Sequence, residues 1–341
     1  MRKVTLGRSG LEVSAVGFGG IPIQRISESE AERVIDQALD LGVTLIDTAA
    51  GYGDSETKIG RAIRGRRDGL VLASKSGRKD REGILGEIDR SRRSLGVEVV
   101  DLYQLHNCAT REAWEQVSGA GGAMEGLLEA RDRGWIGHIG FTSHSLDMAL
   151  ELIEQDVFET VQFPFNLVTR EPAEGLIPRC RELGLGFVVM KPLCGGQYDD
   201  ATLAFKFLNA YPDLVAIPGI ERVEEIEQIA ALVTSGETLG GEELRRAEQT
   251  AERLGKLFCR RCGYCMPCPS GVPIQLAMIF DSFIARMPAD RLVEPARRVA
   301  EGVARCTDCG MCEDKCPYDL PIRVQIRAAA EKAETILVRS D

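Results

Sequence analysis

No stretch of this 341-residue chain approaches the ~20 consecutive apolar residues that a membrane-spanning helix needs. The opening segment, Met1-Arg2-Lys3-Val4-Thr5-Leu6-Gly7, lacks the apolar core of a secretory leader, so a cytoplasmic location is the expectation. Excess positive charge is missing too. The net charge is −10, with acids and bases interspersed, which argues against nucleic acid or an anionic membrane as a main partner. The basic stretches at 61–67 and 90–93 read as solvated surface. A Gly-x-Gly-x-x-Gly turn after the first strand is absent as well, and Gly17-Phe18-Gly19-Gly20 is too compact to replace it. No flavin motif is seen. What remains is an ordinary apolar fraction of 44% and enough length for one large domain and a small one.

Cysteine is concentrated where other features are sparse. Eight of the eleven cysteines fall between Cys259 and Cys316. Cys259, Cys262, Cys265 and Cys268 are separated by two residues each and followed by Pro269. Cys306, Cys309 and Cys312 keep that spacing, then three residues lead to Cys316 and Pro317. A 4Fe–4S cube needs four converging thiolates, and two-residue spacers let one tight loop supply three of them. The second run has the ferredoxin spacing throughout; the first is one residue short before Cys268, so its closing ligand stays open. By ferredoxin logic the closing cysteines swap, placing Cys316 with Cys259, Cys262 and Cys265, and Cys268 with Cys306, Cys309 and Cys312. A zinc ribbon would leave the third and fourth cysteines of each run without a role. Disulfides suit small secreted scaffolds, and this chain is neither small nor evidently secreted. Cys108, Cys180 and Cys194 read as packing or loop residues.

From residue 14 to about 233, short apolar runs alternate with amphipathic segments. The runs at 15–19, 43–46, 70–73, 99–105, 138–141, 160–163, 186–190 and 214–217 predict strands. Helices are predicted at 56–63, 82–95, 124–133, 146–154, 174–183, 201–209 and 223–233, and one opens at the capping box Ser27–Glu30. Eight strand–helix units predict a (β/α)8 barrel, with a doubly wound open sheet as the alternative. Residues 3–6 and 11–13 predict a hairpin closing the barrel bottom. The expected organisation is a barrel over 1–233, a linker and helix over 234–257, and a mostly helical ferredoxin-like iron–sulfur domain over 258–341. Further helices are expected at 242–257, 275–286, 291–303 and 324–338.

Barrel chemistry sits at the carboxyl ends of the strands. The predicted second, third and fourth strands end near Asp47, Lys75 and His106, and Tyr52 follows Asp47 in the next loop. An ammonium beside a phenol favours proton release from the phenol. Asp47 would hold Lys75 charged, Tyr52 would give a proton to a carbonyl oxygen, and His106 would orient that carbonyl. No side chain supplies a hydride, so a nicotinamide is implied.

On these residues the segment from about 3 to 233 resembles the aldo-keto reductases, through Gly17-Phe18-Gly19-Gly20, the stretch from Asp47 to Gly53, Lys75, and Leu105-His106-Asn107. The resemblance implies a catalytic set of Asp47, Tyr52, Lys75 and His106. It implies cofactor contacts at Gly19, Gly20, Asp47, Thr142, Ser143, Gln162, Pro192, Leu193 and Gly195. The whole chain resembles the subgroup carrying a C-terminal dicluster ferredoxin domain; because that domain begins about where a C-terminal loop lines the substrate pocket in ordinary members, it is expected to pack over or beside the barrel mouth and shape the pocket. The 2′-phosphate clamp of NADP-binding members is mostly missing after Ile217-Pro218; Arg222 is a partial substitute, so the lean within NAD(P)H is toward NADH. The expected enzyme interconverts an aldehyde or ketone with its alcohol and carries two 4Fe–4S clusters. Trp114, Tyr198 and His144 are candidate pocket walls. The alternatives are an electron-transfer enzyme linking nicotinamide or substrate to the clusters, with a partner protein, and a nucleotide-binding redox sensor.

Overall fold

Alternation of fully buried apolar runs with helices that bury one face leaves a closed cylinder as the economical arrangement. A computed structural model of the chain describes residues 1–340. Two short antiparallel strands, β1 (Lys3–Thr5) and β2 (Glu12–Ser14), come first. The parallel strands follow as β3 (Phe18–Gly19), β4 (Leu45–Asp47), β5 (Val71–Ser76), β6 (Val100–Leu105), β7 (Ile136–Thr142), β8 (Thr160–Pro164), β9 (Gly186–Met190) and β10 (Val215–Ile217). They pair in chain order. Bridges from Val16 to Ala216 and from Gly19 to Gly219 join β3 to β10 and close the (β/α)8 barrel. A Cβ at Gly19 would lie 2.5 Å from the carbonyl oxygen of Pro218, so the seam admits only glycine there.

The hairpin plugs the bottom as expected. Gly7 bridges to Leu185, and Val4, Leu6 and Val13 are buried. Ser27 and Glu30 form both halves of the capping box of the helix Glu28–Asp40. One helix, Arg111–Ser118, was not expected: Val117 is its one buried residue, so the sequence carries little apolar periodicity to announce it.

The barrel core extends beyond the last strand. Ala247, on the helix Gly241–Gly255, and Phe258 pack into it. A second apolar core includes Val272, Phe280, Val299, Val303, Ile322 and Ile326, and six of the clustered cysteines pack against it. The expected helix at 275–286 is divided into Ile274–Met278 and Phe280–Arg286. This helical region sits on the barrel mouth. Arg291 donates to Gln24 Oε1 at 2.9 Å, Tyr264 Oη to Asp147 Oδ2 at 2.5 Å, and Arg260 to the carbonyl of Val168 at 3.0 Å. No helix among the described residues is long and apolar enough to cross a membrane.

Candidate active site and cluster cradle

Parallel pairing sets the four expected catalytic groups side by side. Asp47 ends β4, Lys75 lies on β5, His106 directly follows β6, and Tyr52 occupies the loop before the helix Ser55–Ala62. Lys75 Nζ donates to Asp47 Oδ2 at 2.6 Å and to the carbonyl of Thr48 at 2.8 Å. Gln104 Nε2 donates to the other carboxylate oxygen at 3.3 Å. The side chains of Lys75 and Asp47 are 1% and 5% exposed, so this is a buried ion pair. Burial lifts the Asp47 carboxyl and works against the Lys75 ammonium. Close contact with Asp47, with Tyr52 and Glu56 nearby, outweighs that for Lys75 and raises it above the ordinary lysine value. Tyr52 is half-buried, its ring centre 5.3 Å from Lys75 Nζ. Its ring meets that of His106 edge-on at 6.0 Å.

Both cleft histidines are held neutral. Burial, then the charges of Lys75 and Arg261, push His106 down to about 3. Burial does the same to His144, helped by Lys191, Arg261 and His106. His144 Nδ1 pairs with Asn107 Oδ1 at 2.9 Å. The third histidine, His138, pairs with Glu159 and does not line the cleft.

The four groups open into a cleft of about 370 Å³, walled by Gly19, Gly20, Thr142, Gln162, Pro192, Leu193 and Gly195. Gln162 Oε1 and His144 Nε2 are buried without a hydrogen-bond partner among the described residues. Buried polar atoms seldom stay unpaired in a native protein, so these two point to a ligand with its own donors and acceptors. A nicotinamide carboxamide fits that requirement. Two expected contacts lie elsewhere. Ser143 is fully buried, does not line the cleft, and bonds the backbone of Ser145. Arg222 is exposed and paired with Glu225, also away from the cleft wall. Trp114 packs on Phe158 from its helix and is not a pocket wall, and neither is Tyr198.

Sequence reasoning missed Arg25, Lys191, Arg261 and Arg286, which line the cleft. The last two come from the cysteine-rich region, which is expected over or beside the mouth because it begins where the family's pocket-lining C-terminal loop would lie; which of its residues enter the cleft is what the sequence does not reveal. Arg260 seats that region: besides its bond to Val168, it faces Glu171 at 3.6 Å and stacks 3.8 Å over the Tyr318 ring.

The cysteines divide into two groups. Cys259, Cys262, Cys265 and Cys316 line one cavity. Cys268, Cys306, Cys309 and Cys312 line a second, where Cys265 also reaches. None of the eight is in a disulfide. Four thiols spread around a cavity fit a polynuclear cluster better than one zinc ion. The other three cysteines are buried, and burial pushes Cys108 up to about 11 and Cys180 and Cys194 up to about 12, so they remain protonated.

Residues 15–204 match the aldo/keto reductase family, and residues 258–321 match a 4Fe-4S dicluster domain. Two curated relatives come from Bacillus subtilis strain 168. "Uncharacterized oxidoreductase YqkF" is 28% identical over 60% of this chain and 68% of its own length. "Aldo-keto reductase YhdN" is 29% identical over 58% of this chain and 63% of its own. A solved aldo-keto reductase from Klebsiella pneumoniae in complex with NADPH superposes with a TM-score of 0.63 at 23% identity, covering 74% of this chain and 96% of that one. The chain therefore belongs to the aldo/keto reductase family, an oxidoreductase whose barrel is followed by a 4Fe-4S dicluster domain.

Proposed function

We propose that the cleft reduces an aldehyde or ketone to the alcohol, or runs the reverse, with Tyr52 as the proton donor. The observation that carries this reading is the buried Asp47–Lys75 pair placed against Tyr52. A bound nicotinamide would supply the hydride, held by Gln162 at its carboxamide, with Gly19, Gly20, Thr142, Pro192, Leu193 and Gly195 as further contacts. Lys75 favours charge movement onto the phenol oxygen as its proton leaves. His106, neutral, can donate one hydrogen bond to the carbonyl oxygen and fix its direction. The cleft admits a small-molecule carbonyl.

The adenosine end favours NADH. Arg25 is tied to Glu221 and Arg222 to Glu225, so neither guanidinium is free for a 2′-phosphate, which wants an unpaired Arg or Lys. This departs from the NADPH named for the Klebsiella structure.

Anaerobic turnover of an aldehyde panel with each reduced nicotinamide tests the reading. Because both cleft histidines lie far below their ordinary value, their charge does not change between pH 6 and 8. kcat/KM is expected to stay flat there. A limb centred near 6.5 would place a titrating imidazole in the reaction, and absence of turnover with any carbonyl would remove the proposal.

The two cysteine cradles would hold one cluster each, with Cys316 and Cys268 exchanged between the runs. Cys316→Ser is expected to spare the cluster of Cys268, Cys306, Cys309 and Cys312, lowering iron from about eight to about four atoms per chain. Cys268→Ser should spare the other. Iron analysis with electron paramagnetic resonance of the reduced protein separates this from unswapped pairing. In that case Cys316→Ser would damage the cluster of Cys306, Cys309 and Cys312 instead.

A further inference from the structure

Besides Lys75, which is paired with Asp47, four basic side chains line the cleft, and they differ in how they are satisfied. Arg25 is neutralised by Glu221. Lys191, Arg261 and Arg286 have no carboxylate and no side-chain hydrogen-bond partner among the described residues, although all three are largely shielded from solvent. Elsewhere in the molecule most arginines are paired with acids, so two unpaired guanidiniums facing one cavity imply a negative ligand. Burial and the charges of Arg261 and Arg286 push Lys191 well below the ordinary lysine value, and an anion beside it would restore its charge.

They do not all face the same end. Arg286 lies against Gly195 and Gly196, its Nη2 3.0 Å from where a Cβ on Gly195 would sit. That is the loop assigned above to the dinucleotide. Arg261 lines the same cleft with its charge acting on Tyr52, His106, His144 and Lys191, whereas that of Arg286 acts on Tyr52 and Lys191 but on neither histidine. Its position is imposed rather than incidental. Arg261 has a left-handed backbone (φ 63°), and its carbonyl accepts from Gln275 Nε2 at 3.1 Å. The preceding residue, Arg260, is clamped to the barrel. The loop thus turns one arginine into the barrel surface and the next into the cleft.

We infer that the substrate is a carbonyl compound bearing an anionic group, a carboxylate or phosphate ester, and that Arg261, supported by Lys191, receives that group. The inference rests on the carbonyl-reductase reading and names its substrate class. It also gives the cysteine-rich region a direct part in substrate binding, because the selecting residue sits between two of its cysteines.

The test compares 4-carboxybenzaldehyde with methyl 4-formylbenzoate, similar in shape and differing in charge. The unaltered enzyme is expected to favour the acid about 30–100-fold in kcat/KM, the scale of a charge-assisted hydrogen bond. Most of this should appear in KM. Arg261→Gln should bring the ratio near one, and Arg261→Lys should restore part of it. Nicotinamide affinity, measured by fluorescence, should change far less than the ratio. Calorimetric titration of the unaltered protein with 4-(hydroxymethyl)benzoate and with its methyl ester reads the same preference without any variant. Equal reduction of both aldehydes overturns the inference and leaves carbonyl reduction standing. So does an Arg261→Gln enzyme that keeps the preference but loses nicotinamide affinity, which would assign Arg261 to the dinucleotide. Reduction of neither aldehyde with either nicotinamide removes the underlying reading as well.

Discussion

Tyr52→Phe is expected to lower kcat/KM for carbonyl reduction about 10³-fold while iron content and nicotinamide affinity hold, because general acid catalysis contributes roughly 10²–10⁴. The substitution removes one oxygen from a half-buried ring and leaves the ring's edge-on packing with His106 in place. A loss of this size without loss of binding would separate proton donation from positioning. Since no other phenol among the described residues lines the cleft, rescue by a neighbouring tyrosine is not expected. Transient kinetics under anaerobic conditions provides the check. A variant within tenfold of the unaltered enzyme would show that the proton comes from elsewhere.

The second large effect is on stability. Asp47→Ala leaves the Lys75 ammonium enclosed with only the Thr48 carbonyl and is expected to cost about 3–5 kcal/mol, the range for breaking a buried pair. Lys75→Met should do less harm, because the orphaned Asp47 can take up a proton and become neutral. The double variant Asp47→Asn with Lys75→Met removes both charges and should recover much of the Asp47→Ala loss, though not turnover. Anaerobic urea unfolding followed by circular dichroism measures all three. A cost for Asp47→Ala below about 1 kcal/mol would mean the pair is solvated and worth no more than a surface ion pair.

The barrel was legible because its signals are local. Each strand is an apolar run buried on both faces, and the helices carry caps and one-sided apolar periodicity, as Ser27–Glu30 and the run 186–190 illustrate. Asp47, Tyr52, Lys75 and His106 could be gathered on paper because strand ends in a closed barrel share one mouth. Thr142 and Gln162 line the cleft, whereas Ser143 turns into its own loop: a residue's direction at a strand end depends on backbone bonds, here to Ser145, that residue type does not encode. Arg261 and Arg286 were out of reach for a different reason. Their placement depends on how two separately packed units meet, and that contact is carried by scattered bonds such as Arg260 to Val168 rather than by any periodic pattern.

One of those scattered bonds joins Arg291 to Gln24 across 267 residues, and the same guanidinium reaches the carbonyl of Gly51, next to Tyr52. During synthesis the barrel can close long before residue 291 leaves the ribosome. Until then the four groups proposed to react stand in an open mouth. The wall over the cleft is the last part of the pocket to be made.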